Sequence, residues 1–225
     1  MDRYGPYLRE MGLVRWRFGS QHPDMAGLRS DRETLFRDEG ANAGRLTALA
    51  READRCERCE LHRTRTKVVF GSGSLAVSWL FVGEAPGAEE DKQGLPFVGR
   101  AGALLRSMLI SIGLSREDVY IANVLKCRPP SNRDPLGQEV RECSPFLHRQ
   151  IDLVQPEIIV AMGRFAAQVL LDSNESLGQL RGRPHNFGET LIPLVVTYHP
   201  AYLLRSPTAK SNTWEDLLLA RSVLA

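Results

Sequence analysis

Three polar side chains stand out by position. Glu84, Asn123 and His199 each follow or end a short apolar run and open a stretch rich in Gly, Pro, Asn and Arg. A carboxylate can orient water or steady a cation. A primary amide offers a donor and an acceptor in one plane, which suits the edge of a base. An imidazole works near neutral pH as donor or acceptor. The first stretch reads GEAPGAEEDKQGLPFVGRAGALL and sets Glu84, Ala85 and Pro86 between Gly83 and Gly87. Small residues let the backbone approach a ligand, and the proline stiffens the turn. Further along it lie Glu90 and Phe97. The Phe97 ring either stacks on a flat ligand or plugs the core. The stretch lacks the G-x-G-x-x-G spacing of a dinucleotide-binding turn.

The second stretch, NVLKCRPPSNRDP, holds Lys126, Arg128 and Arg133 in a proline-stiffened loop. Such cations contact phosphate or simply sit in water. The third, TYHPAYLLRSP, carries His199 ahead of Leu203, Leu204 and Arg205. Exposed apolar side chains beside an arginine can wedge into a base stack, whereas buried ones only anchor the loop. Four cysteines complete the inventory. Cys56 and Cys59 form a C-x-x-C pair, while Cys127 and Cys143 lie far along the chain. Two residues between thiolates let both point at one metal centre. Spacing alone leaves zinc, iron–sulfur and plain buried thiols open. A thioredoxin-like pair would need a βαβ unit around it, and Cys56 precedes the first strand.

The elements that must hold these residues alternate. Apolar runs at Val77–Gly83, Val119–Leu125, Glu157–Met162 and Leu191–Thr197 read as strands. Helical stripes fall at Ala101–Gly113, Gln138–Val154, Gly163–Leu171 and Ser211–Leu224. This alternation predicts an α/β fold, a mostly parallel sheet with helices on both faces. Ligands of such sheets bind beyond the carboxyl ends of the strands, where the three stretches begin. Residues 1–43 stand apart as an N-terminal extension, with a linker at 38–43, and 44–225 form the domain.

The length of 225 residues and 43% hydrophobic content suit one globular domain. A net charge of +2 is no polyanion footprint by itself, so any such site must arise from local clustering. No stretch reaches the length of a membrane-spanning helix, and the first 20 residues lack a signal-like apolar run. A cytoplasmic monomer is expected, in which two disulfides would be unusual.

Taken together, the motifs resemble the family 4 uracil-DNA glycosylases, the iron–sulfur branch of their superfamily. The matching strings are C-x-x-C-x-L at Cys56–Leu61, GEAPGAEED, GLPFVGRAGALL, VYIANVLKCRPPSNRDP, C-x-P-F-L at Cys143–Leu147, and YHPAYLLR. They cover roughly residues 45–223. The resemblance implies a three-layer α/β/α domain around a central, mostly parallel four-stranded sheet. It implies a [4Fe-4S] cluster on Cys56, Cys59, Cys127 and Cys143, and DNA containing uracil as substrate. It makes Glu84 and His199 catalytic and gives Ala85, Gly87, Glu90, Phe97 and Asn123 to the base. Arg128, Arg133, Leu203, Leu204 and Arg205 are then DNA contacts. A non-catalytic DNA-binding relative and a zinc-stabilised nuclease are the rival readings.

Overall fold

A computed structural model describes residues 39–75 and 77–224. Residues 1–38 of the expected extension, residue 76 and the final residue lie outside it. Four strands, β1 (Trp79–Gly83), β2 (Val119–Asn123), β3 (Ile158–Met162) and β5 (Ile192–Thr197), run parallel. A fifth, β4 (Pro184–Phe187), pairs antiparallel with β5, giving the order β2-β1-β3-β5-β4. The sheet therefore has five strands where four were expected. The first three are buried at every position. That is how parallel strands covered on both faces read in sequence.

Side chains alternate across the sheet and feed two cores. On one face Leu80, Val82, Ile159, Ala161, Leu194 and Val196 pack under three helices: α1 (Glu39–Asp54), α4 (Gly137–Val154) and α5 (Arg164–Leu171). On the other face Phe81, Ile121, Val160 and Val195 pack under α3 (Arg100–Ser111) and α8 (Lys210–Val223). Three short helices, α2 (Ala88–Gln93), α6 (Leu177–Leu180) and α7 (Pro200–Leu203), complete the α-helices among the described residues. The result is the three-layer arrangement that the alternating pattern predicted.

One boundary differs. The stretch 38–43, expected as a linker, becomes the first turns of α1 from Glu39 onward. Leu49 and Ala53, farther along that helix, are buried in the first core and tie it to the domain.

The register fixes the site. Gly83 pairs with Asn123, and Met162 with Thr197, so the carboxyl ends of β1, β2, β3 and β5 finish along one edge. Two glycines there keep the edge open. A Cβ at Gly83 would collide with the Asn123 amide oxygen and stand 2.7 Å from the Phe97 ring. A Cβ at Gly163, where φ is +94°, would press on His199 at 3.1 Å in a conformation that L side chains rarely adopt.

Candidate active site

Along that edge lies a cavity of about 740 Å³. Glu84, Ala85, Gly87, Glu90, Phe97, Asn123 and His199 all line it. The seven positions expected to touch the base or do chemistry thus meet in one place, although they come from three separate loops.

Asn123, the last residue of β2, is only 2% exposed. Its side-chain oxygen has no hydrogen-bond partner among the described residues. A buried acceptor left unpaired costs about 1–3 kcal/mol. The cost makes sense where a ligand brings the missing donor. The Asn123 backbone is held from behind, because the Lys126 ammonium donates to its carbonyl at 2.7 Å.

His199 caps α7. Its Nδ1 accepts the Ala201 backbone N–H at 3.1 Å, which leaves the proton of the neutral ring on Nε2. Burial pulls its pKa down to about 4. The Arg205 guanidinium adds to that fall and the Glu90 carboxylate opposes it. The ring is therefore neutral through the physiological range. Its centroid lies 5.5 Å from that of Phe97.

Phe97 is 7% exposed and holds φ at 53°, the left-handed region that bulky residues avoid. Glu90 braces this loop, with one carboxylate oxygen accepting the Val98 and Gly99 backbone N–H groups at 2.9 Å each. Glu84 is half-buried. Burial pushes its carboxyl up to about 7, the Asp134 carboxylate adds to the rise, and the Arg164 guanidinium opposes it.

Around the mouth the structure redistributes the expected DNA contacts. Arg133, expected at phosphate, grips Glu139 with both terminal nitrogens, at 2.6 and 2.9 Å. Glu139 also accepts the Leu136 N–H at 2.8 Å, so this clasp fastens the loop to the start of α4. Arg128, half-buried, donates to the exposed Asn132 at 2.8 Å. Arg205 lines the cavity.

The two leucines part company. Leu203 is 1% exposed and packs in the second core, so it anchors the loop and is not available as a wedge. Leu204 is 38% exposed. Leu203→Ala should therefore cost about 2–5 kcal/mol in urea unfolding. Leu204→Ala should cost less than about 0.5 kcal/mol. Equal losses would contradict this assignment.

Residues not singled out by sequence also face the cavity. Arg164 follows Gly163 beyond β3 and meets Asp134 across the mouth at 3.4 Å. Their exposed pair is worth at most about 1 kcal/mol and is easily broken. Tyr202 stacks on Tyr198 at 5.0 Å, and the Arg181 guanidinium lies 4.3 Å from the Tyr198 ring. The usable signal was position alone, since Arg164 leaves a strand end as Glu84 does.

The four cysteines are free thiols that line one small pocket together with Arg65 and Lys126. Among the described residues no group of three or more His, Cys, Asp or Glu is arranged to hold a metal ion. Two sulfurs already accept hydrogen bonds. Arg65 Nη1 donates to Cys127 at 3.3 Å, and the Lys126 backbone N–H to Cys143 at 3.2 Å. Burial pushes the Cys143 thiol up to about 11, with the Lys126 charge opposing.

Comparison with known proteins follows the same lines. Residues 70–218 match the family model for the uracil DNA glycosylase superfamily. A type-4 uracil-DNA glycosylase from Thermotoga maritima is 45% identical over 184 residues, 80% of this chain and 94% of that protein. One from Archaeoglobus fulgidus is 44% identical over 178 residues, 76% of this chain and 89% of its own length. A type-5 uracil-DNA glycosylase from Pyrobaculum aerophilum is 36% identical over 114 residues, about half its length.

Proposed function

The chain belongs to the uracil DNA glycosylase superfamily, with the type-4 enzymes, and from that premise we propose how it excises uracil from DNA. The reaction begins with extrusion of the nucleotide from the stack. The observation that carries the reading is the unpaired, buried amide oxygen of Asn123 beside Phe97 and a neutral His199. Uracil supplies the missing donor, its N3–H, while the Asn123 NH₂ donates to O4. Cytosine has no hydrogen on N3 and an amine at C4, so it mismatches both ends of the amide. Phe97 stacks on the ring, and Leu204 fills the gap in the duplex.

The bond between N1 and C1′ breaks with its electron pair passing to uracil, and the sugar becomes cationic. His199 donates from Nε2 to O2 as negative charge gathers there. Ionised Glu84 faces the cationic sugar and orients the water whose oxygen bonds to C1′, taking up its proton. The products are uracil and an abasic site.

This role for Glu84 needs the carboxylate form. With its pKa near 7, kcat/KM should rise with pH through about 7 and flatten above it. Glu84→Gln should be slow and lose that limb. A limb that persists in the variant would assign it to another group.

Cys56, Cys59, Cys127 and Cys143 are the proposed holders of a [4Fe-4S] cluster. In such a cluster each thiolate binds a different iron, so the sulfurs stand farther apart than ligands of a single ion. Two observations support the fit. The site already directs N–H donors at two sulfurs. It also buries Lys126 with no carboxylate paired to it among the described residues, a cation suited to an anionic cluster. Bound, the cluster would cross-link the segment before β1 to the loop after β2 and to α4. Cysteines that hold a cluster rather than disulfides suit the cytoplasm, where we expect the chain to act as a monomer.

The test incubates the protein with oligonucleotides bearing uracil, thymine or hypoxanthine, followed by alkali. Strand breaks at uracil with full-length thymine strand are expected. No break at uracil, with the DNA still bound, would favour a binding module without catalysis.

A further inference from the structure

Lys126 is the largest buried charged side chain among the described residues, at 2% exposure. Its ammonium meets no carboxylate among the described residues. Its contacts are the Asn123 carbonyl at 2.7 Å and the Phe70 ring at 5.8 Å. Its own backbone N–H donates to the Cys143 sulfur at 3.2 Å. The residue thus touches both centres of the molecule. Its backbone N–H meets the sulfur of a cysteine site, and its ammonium meets the backbone of the residue whose amide faces the cavity.

A buried ammonium with only a carbonyl and a ring for company is costly unless a negative charge lies close by. The four thiolates and their cluster supply one. Lys126 lines the same small pocket as all four cysteines. Its position then follows from charge: the anionic centre draws the ammonium in, and the ammonium grips the last carbonyl of β2. Among the described residues the Asn123 amide oxygen has no hydrogen-bond partner to fix it. Its direction depends on its backbone, which is what Lys126 holds.

We propose that Lys126 is a positioning residue that ties uracil recognition to the cysteine site, transmitting the presence of the cluster to the Asn123 amide. The proposal rests on the [4Fe-4S] reading given above. It predicts that the cluster matters to base selection as well as to folding. It also predicts that Lys126 sets the electronic character of the cluster, since nearby charge and hydrogen bonds to sulfur tune reduction potential.

The test is a double-mutant cycle on the intact chain, with iron content and reduction potential measured on each protein. Lys126→Met should keep about four irons per chain, lower kcat/KM on uracil DNA by roughly 10–100-fold, the usual cost of losing an outer support, and shift the cluster to a more negative potential. In an Asn123→Ala background the same change should cost less than about twofold, because its target is gone. Losses that multiply in the double variant would overturn the coupling, and so would an unchanged potential in an iron-replete Lys126→Met protein. Should Lys126→Met fail to fold, Lys126→Gln keeps a donor for the carbonyl without the charge. It should hold near-native uracil selectivity at a lowered potential, and an unaltered potential would count against the proposal. A wild-type protein without iron would sink the cluster reading, while the cycle would still decide whether Lys126 acts through Asn123.

Discussion

Asn123→Asp is expected to collapse the preference for uracil over cytosine by about two to four powers of ten. A site built to hydrogen-bond one ligand rejects its mismatched analogue by about 10⁴–10⁵. The Asp carboxylate accepts the cytosine amine and repels uracil O4, so the ratio should fall from both sides. Much of the fall should come from slower uracil excision, since cytosine remains the poorer leaving group. The geometry makes the effect specific. The amide is buried at a strand end, and Gly83 leaves no side chain that could take over its contact. Single-turnover rates on matched oligonucleotides check it. A ratio equal to wild type would move base reading to another residue.

His199→Ala should lower the single-turnover rate by roughly 10²–10³, the cost of removing one donor to a developing anion. The accompanying pH behaviour separates two mechanisms. A neutral donor with its pKa near 4 stays competent from about pH 6 to 9, so the ratio of wild-type to variant rates should be flat there. An imidazolium acid would instead give a ratio that falls steadily as pH rises. The Ala201 N–H on Nδ1 argues for the flat outcome, because that contact leaves Nδ1 without its proton.

Much of the architecture was legible because parallel strands bury both faces. VSWLFVG, VYIANVL and EIIVAM are near-continuous apolar runs, and each contains its strand. The edge strand β4 was not legible. Its four residues, PHNF, start with proline, contain one large apolar side chain and alternate only between exposed and half-buried. What makes it a strand is pairing with β5, a contact no local pattern announces. The start of α1 was obscured by Gly40 and Asn42, which read as a linker, while its anchors Leu49 and Ala53 come later.

In the site, residues that leave strand ends were readable, since topology alone brings those ends together. Assignments that depend on a side chain's direction were not. Leu203 and Leu204 are adjacent and identical in type, yet only the helical turn at α7 decides which is covered. Arg133 reads as a free cation until its partner Glu139, six residues away, closes on it. Lys126 was grouped with surface cations, and nothing in NVLKCRPP indicates that its ammonium turns inward.

Because four parallel strands finish along one edge, the opposite edge carries none of the cavity-lining residues. The turns entering those strands include Gly113–Asp118, Gln155–Glu157 and the hairpin tip Gly188–Leu191, where Leu191 is largely exposed. Such exposed tips tolerate added sequence well. The chain therefore offers a natural handle for engineering. A fluorescent protein, a tether or a second repair module grafted at the hairpin tip would hang away from the DNA and leave excision intact.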